Sequence, residues 1–199
     1  GGIGCFSLHP RKAITTGEGG LVVTNNDELA EKIKILRNHG LSYVNGKPEF
    51  VMAGFNYRMT NIQGAIGVAQ MKKLRHINEK RAEIAREYDK ILKDVEGITI
   101  PEEKNYGKHV WQSYHILLDK EIDRDLLIKK LKEKGIETNF GAYAVHMQPY
   151  YKEKYKYDDI NYKNAINAYQ QGIVLPLHTG LSKDNLIYIR NTIEVLVNE

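Results

Sequence analysis

No proline interrupts the chain between Pro48 and Pro101, and the apolar residues inside that stretch recur with a helical period. Thr60 stands where an N-cap belongs. Ile62, Ile66 and Ala69 begin the stripe, and Ile77, Ile84, Tyr88, Ile91 and Val95 continue it. The pattern predicts one helix over residues 60–95, about 35 residues, which is longer than globular helices usually run. Such a helix is expected to join two domains, with a bend near residues 75–78.

Shorter patterns lie on either side. Residues 3–7 and 20–24 read as two strands flanking a connector rich in Gly and Thr. A helix follows over residues 27–38, with Leu29, Ile33 and Leu36 on one face and Gly40 as its C-terminal cap. Residues 40–58, rich in Gly, Asn and Tyr, read as irregular, and connections of that length are usually functional. Beyond Pro101, strands alternate with helices. Strands are expected at 111–118, 136–140 and 173–175. Helices are expected from Asp123 to Gly135, over 162–171, and from Ser182 onward with Leu186, Ile189, Ile193 and Leu196 inward. This is the pattern of a small α/β or α+β domain.

Composition narrows the classes. Hydrophobic residues make up 42% and charged residues 27%, enough apolar material for a core. The formal charge of +4 comes from 29 basic and 25 acidic residues spread along the chain. The densest basic run, Lys129 to Lys134, falls on a helical pattern that also carries Glu133, as a solvated face does; no nucleic-acid footprint is expected. Cys5 is the only cysteine, so no intrachain disulfide forms, which fits a reducing, cytoplasmic setting. No apolar run reaches the ~18 residues of a membrane span. The opening Gly1-Gly2-Ile3-Gly4 carries no signal core and no initiator Met, and the chain is expected to begin inside a larger protein.

The most informative segment is Ser7-Leu8-His9-Pro10-Arg11-Lys12-Ala13-Ile14-Thr15-Thr16-Gly17-Glu18-Gly19-Gly20. A strand delivers Ser7, Pro10 ends regular structure, and Lys12 is presented from a turn. The glycines that follow permit close backbone approach to a ligand. A hydroxyl and free backbone N–H groups suit a phosphate, and a neutral lysine amine can condense with an aldehyde. By spacing alone, a plain loop beside a surface lysine is the commoner reading. Other templates are absent. There is no Gly-x4-Gly-Lys-Ser/Thr loop, the opening Gly1-Gly2-Ile3-Gly4-Cys5-Phe6 lacks the third glycine of a dinucleotide fingerprint, and no Gly-x-Ser-x-Gly surrounds Ser7. The seven histidines form no His-x3-His pair and have no cysteine partner, so no metal site is expected.

The same segment closely resembles the Schiff-base segment of the DegT/DnrJ/EryC1/StrS family of nucleotide-sugar aminotransferases, which depend on pyridoxal 5′-phosphate. The likeness continues through Leu36-Arg37-Asn38-His39-Gly40, Gly54-Phe55-Asn56-Tyr57-Arg58-Met59-Thr60-Asn61-Ile62-Gln63 and Gly67-Val68-Ala69-Gln70. It resumes at Gly135-Ile136-Glu137-Thr138, Tyr143-Ala144-Val145-His146 and Leu175-Pro176-Leu177-His178, in the family's order. The resemblance implies a fold-type I α/β enzyme. Residues 1–75 would end its large cofactor domain, and 76–199 would form the small C-terminal α/β (α+β) domain.

What the resemblance implies for single residues is specific. Lys12 would bind the cofactor and shuttle the proton, and Ser7 would hold the cofactor phosphate. Asn56 would reach the phosphate of the neighbouring subunit, which makes the enzyme a homodimer. His9, Tyr57, Arg58, Tyr143 and His146 would line the substrate site. Other readings stay open for some of these: strand end for His9, loop capping for Asn56, an ion pair for Arg58, a structural role for His146. Ala144 replaces a proline common in the family. The family's pyridine-nitrogen carboxylate and stacking ring would lie upstream of Gly1, so these residues are expected to be inactive alone. The implied activity moves an amino group, from glutamate, to a keto group of a nucleoside-diphosphate sugar, with a 4-keto-6-deoxyhexose preferred. Lys12 argues against the dehydratases of the family, which carry histidine there. A regulatory or interaction protein of the same fold is the alternative.

Overall fold

The computed structural model describes residues 1–199 and separates them into two units, Gly1–His76 and Ile77–Glu199. In the first, β1 (Gly4–Ser7) pairs antiparallel with β2 (Gly20–Val23), with Ser7 opposite Gly20. Helix α1 (Asp27–Leu36) starts where the Asn26 side chain accepts the Leu29 N–H at 2.9 Å. Asp27 and Glu28 in its first turn and Lys34 in its last complement the helix dipole. The chain leaves α1 through two consecutive left-handed residues, His39 (φ 60°) and Gly40 (φ 80°).

Residues 41–50 are ordered as a hairpin, β3 (Leu41–Val44) and β4 (Lys47–Phe50), where the sequence pattern predicts irregular chain. Asn45 (φ 52°) and Gly46 (φ 78°) make the two-residue primed turn that Asn-Gly favours. Pro48 and the lack of alternation hide β4. A proline is tolerated because the ladder has only two strands.

The proline-free stretch forms two helices, α2 (Asn61–Met71) and α3 (Leu74–Leu92), and not one. The break falls at Lys72–Lys73, ahead of the expected bend. There Lys73 N–H reaches Gln70 O at 2.9 Å, three residues back instead of four. Lysine has good helix propensity, so nothing local announces the interruption. The helices also differ in character. α2 buries none of its residues, whereas α3 buries Ile84, Ala85, Tyr88 and Leu92.

The second unit is built on a four-stranded sheet of β5 (Ile98–Thr99), β6 (Tyr114–Leu118), β7 (Asn139–Phe140) and β8 (Gly172–Leu175). Its order is β5-β6-β8-β7 and every pairing is antiparallel, so this unit is α+β. Its helices after α3 are α4 (Arg124–Glu133), α5 (Pro149–Tyr155), α6 (Lys163–Gln171) and α7 (Lys183–Val197). Along β6, Tyr114, Ile116 and Leu118 point into a core shared with Tyr88 and Leu92 of α3, Leu127 and Leu131 of α4, and Leu186, Ile189 and Ile193 of α7. Two buried phenols anchor it. Tyr88 donates its hydroxyl to Pro176 O at 3.0 Å and Tyr114 donates to Asp89 Oδ1 at 2.7 Å. Burial raises the pKa of both above the ordinary tyrosine value, so both stay neutral donors.

Two strands are shorter than the sequence pattern predicts, each for a local reason. Trp111 takes a left-handed backbone (φ 49°), which an extended strand cannot hold, so β6 begins at Tyr114. Ile136 is consumed in ending α4. Its N–H bonds Leu131 O at 2.9 Å while Gly135 N–H bonds Lys132 O at 2.9 Å, the paired bonds of a Schellman closure. Helix α5 escapes the apolar periodicity altogether; Pro149 at its first turn is the signal that marks it.

His115 lies on the face of β6 opposite this core, and α6 lies against β6, β7 and β8 without contributing to the core. The His115 ring packs directly on the backbone of Gly141, where a Cβ would fall within the ring. Gly141→Ala should therefore cost about 1–3 kcal/mol of unfolding free energy, read by urea denaturation. Adding His115→Ala should recover much of that loss, because the ring is the obstacle. Burial also lowers the His115 pKa from 6.5. The unfolded chain then binds the proton more readily, so this contribution to stability is present above that value and is lost on acidification. Urea midpoints measured from pH 7.5 to 5 should fall more steeply for wild type than for His115→Phe.

Candidate active site

Leu8 closes the lysine loop. Its side chain is buried and its N–H donates to Gly19 O at 2.9 Å, carrying the β1–β2 ladder one step beyond Ser7 and Gly20. The Leu8 carbonyl accepts the Thr16 N–H at 3.1 Å and the Thr15 hydroxyl at 2.8 Å. Thr15 Oγ1 in turn accepts the Gly17 N–H at 2.9 Å. Residues 9–13 thus project from a closed base, with Ile14 and Thr16 buried and Lys12 exposed. Gly19 (φ 153°) is required at the base, since a Cβ there would sit 2.6 Å from Thr16 Oγ1 and 2.9 Å from Met59 Cε.

The turn that carries Lys12 is held locally. Lys12 N–H bonds His9 O at 2.9 Å, and His9 N–H reaches Ser7 Oγ at 3.3 Å. His9 Nδ1 accepts the Arg11 N–H at 3.2 Å, and its Nε2 stands 3.8 Å from Glu18 Oε1. Ser7 Oγ serves here as an acceptor, so its own proton is available to a ligand. An exposed primary amine and a hydroxyl donor on one loop can bind an aldehyde that also carries a phosphate.

Asn56, Tyr57 and Arg58 form a second group. Phe55 N–H bonds Leu36 O at 2.7 Å and Tyr57 N–H bonds Arg37 O at 2.9 Å, so this segment runs along the exit of α1, with Asn38 and Asn56 bridged. The Tyr57 ring stacks on Phe55 at 4.8 Å. Arg58 Nε donates to Asn56 Oδ1 at 3.0 Å; its partner is an amide and not a carboxylate. That bond engages the oxygen of Asn56, and the exposed side chain keeps two N–H donors besides.

The remaining two candidates belong to the second unit. Tyr143 is exposed and meets Phe140 edge-on at 4.8 Å, while the Arg124 guanidinium lies 5.8 Å from the Phe140 centroid and 5.9 Å from that of Tyr169. His146 occupies a single 3₁₀ turn, Val145–Met147, and is 6% exposed. It stacks on Tyr162 at 4.5 Å, and its Nε2 has no hydrogen-bond partner, with Asp159 Oδ1 at 3.7 Å. Ala144, standing where the family commonly has proline, is buried and accepts the Met147 N–H at 3.0 Å, so the turn closes without the proline.

Reading the sequence singled out Ser7, His9 and Lys12 but not the residues that hold them: Leu8, Thr15, Thr16 and Gln63. The first three act through the backbone or through short hydroxyl bonds that no residue pattern encodes. Gln63 carried a legible signal, since Thr60-x-x-Gln63 is the spacing of a capping box.

Residues 1–194 match the DegT/DnrJ/EryC1/StrS aminotransferase family. The chain is 36% identical to UDP-4-amino-4,6-dideoxy-N-acetyl-beta-L-altrosamine transaminase of Campylobacter jejuni, covering 94% of this chain and 50% of that protein. Among solved structures, Helicobacter pylori PseC, an aminotransferase of pseudoaminic acid biosynthesis, superposes with a TM-score of 0.90 at 31% identity, over 98% of this chain and 53% of that one. The PLP form of the sugar aminotransferase Spr1654 from Streptococcus pneumoniae superposes with a TM-score of 0.88 at 25% identity, over 98% and 52%. The chain thus spans about half the length of the relatives it matches. With family match and solved relatives in agreement, this chain belongs to the DegT/DnrJ/EryC1/StrS aminotransferase family, and its residues have the fold-type I α/β architecture of that family's C-terminal part.

Proposed function

We propose that these residues serve, in the full-length protein, a pyridoxal-phosphate-dependent aminotransferase acting on a nucleoside-diphosphate keto sugar in the cytoplasm. The donor is an amino acid, glutamate by preference, and the acceptor a 4-keto-6-deoxyhexose whose product enters polysaccharide or glycan synthesis. The observation that carries the reading is an exposed Lys12 on a loop whose base is closed by main-chain bonds at Leu8 and whose first turn also engages the Ser7 hydroxyl. The altrosamine transaminase, whose name specifies a 4-amino sugar, supports amination at C4. On this reading residues 1–75 end the cofactor domain and residues 76–199 are the small domain.

The donor set fits the cofactor: a primary amine for its aldehyde, and hydroxyl and amide donors for its phosphate. When bound, pyridoxal phosphate supplies the electron-withdrawing ring through which an amino group passes from donor to acceptor. Lys12 would hold it through its Nζ, and the same amine, when neutral, would carry the proton that moves between the donor's Cα and the cofactor. Ser7 donates its hydroxyl to the phosphate. Asn56, its oxygen held by Arg58 Nε, would offer its NH2 to the phosphate bound by the neighbouring subunit of a homodimer. The terminal nitrogens of Arg58 then suit the substrate's diphosphate. His9 and Tyr57 in the first unit, and Tyr143 and His146 in the second, are the remaining candidates for substrate contacts; the His146 Nε2 is buried without a hydrogen-bond partner.

Incubating the full-length protein with pyridoxal phosphate and then borohydride should leave a phosphopyridoxyl group on Lys12, seen by peptide mass spectrometry, and Lys12→Ala should abolish it. Labelling mapped to another lysine overturns the assignment.

A shared site predicts complementation. Lys12→Ala and Asn56→Ala homodimers, each impaired, should regain activity after subunit exchange, because every heterodimer holds one site with both defects and one intact. At statistical exchange about one quarter of wild-type sites return, as two composite sites per two-fold dimer require. Verified heterodimers without recovery would show that Asn56 acts within its own subunit.

A further inference from the structure

Gln63 serves two elements at once. Its Oε1 accepts the Thr60 N–H at 3.0 Å and the Thr60 hydroxyl at 3.0 Å, while its own N–H donates to Thr60 Oγ1 at 3.2 Å. This closes the capping box of α2. At the same time Nε2 donates to Glu18 O at 3.0 Å, in a segment 45 residues away. The orientation of the amide is dictated from both sides: the Thr60 N–H needs an oxygen, and the Glu18 carbonyl needs an N–H.

Capping alone does not call for an amide. Glutamate at the same position closes the same box and adds a favourable charge at the helix N-terminus. What glutamine adds is the donated N–H, and that bond falls on a carbonyl already held by the Thr16 hydroxyl at 2.8 Å. The carbonyl belongs to the turn of Gly17 (φ 83°) and Gly19 (φ 153°), and the next carbonyl along, that of Gly19, takes the Leu8 N–H. A continuous path of bonds therefore runs from the start of α2 through Gln63, Glu18 and Gly19 to Leu8, the base of the lysine loop.

We propose that Gln63 is a positioning residue that ties the base of the Lys12 loop to the N-terminus of α2 and so sets where the Lys12 amine stands. What Lys12 then does rests on the function proposed above; the tether does not.

The test compares Gln63→Glu, which keeps the cap and loses the donor, with Gln63→Ala, which loses both, in the full-length protein. Amide hydrogen exchange is followed by mass spectrometry over residues 8–20 and over α2. Gln63→Glu should leave α2 as protected as in wild type while exchange in residues 8–20 accelerates about fivefold, the worth of one hydrogen bond. Gln63→Ala should loosen both. The rate of pyridoxal-phosphate capture on Lys12, stopped with borohydride, should fall several-fold in both variants, as expected when one ordering hydrogen bond is lost. Unchanged loop exchange in Gln63→Glu overturns the tether and leaves Gln63 a cap only. Faster exchange with an unchanged capture rate overturns the positioning of Lys12. If wild type itself captures no cofactor on Lys12, the proposed function fails, and the exchange result alone decides the tether.

Discussion

The main chain of Leu8 is the constraint on which the lysine loop depends. One residue donates to Gly19, accepts from Thr16 and Thr15, and has its own side chain buried. A loop of this length would otherwise sample many conformations, and ordering each residue costs about 1–2 kcal/mol in backbone entropy. Joining both ends at a single residue confines that cost to the tip, where Lys12 projects. The backbone groups that a sharp reversal would leave unpaired are used up inside the loop: Thr15 and Thr16 donate to carbonyls, and Thr15 Oγ1 takes the Gly17 N–H.

The same economy of partners orders the segment around Asn56. Its backbone is spent on the exit of α1, through Leu36, Arg37 and His39. The Asn56 side-chain oxygen is spent on Arg58. What is left exposed is directional: an amide NH2 and a guanidinium fork, both donors, both suited to phosphate oxygens. A donor-only surface is a poor structural device and a good anion site, which is why this pair weighs in favour of a phosphorylated ligand.

In the second unit the sheet decides both what is buried and what is oriented. β6 sends Tyr114, Ile116 and Leu118 into the core and His115 to the other face. There the imidazole excludes any side chain at position 141, so the chain after β7 can turn close against β6 on its way to Tyr143 and His146. The unpaired His115 Nε2 is tolerated because burial keeps the ring neutral, which is cheaper to leave unbonded than a charge.

Much of this was legible from residues alone. The caps at Thr60, Asp123 and Ser182 stand where side-chain oxygens meet free helix N–H groups, and local chemistry suffices to place them. The lysine segment was legible only through its resemblance to a known family, since its spacing alone reads as a plain loop. Tertiary structure decided what depends on partners distant in the chain or on backbone geometry. The interruption at Lys72–Lys73 falls between two good helix formers. Strand β6 is shortened by the backbone of Trp111, and β4 is paired despite Pro48. The tether from Gln63 to Glu18 joins groups 45 residues apart, and no periodicity spans that distance. A sequence states which groups each residue owns; only the folded chain determines which of them are consumed by neighbours and which are left for a ligand.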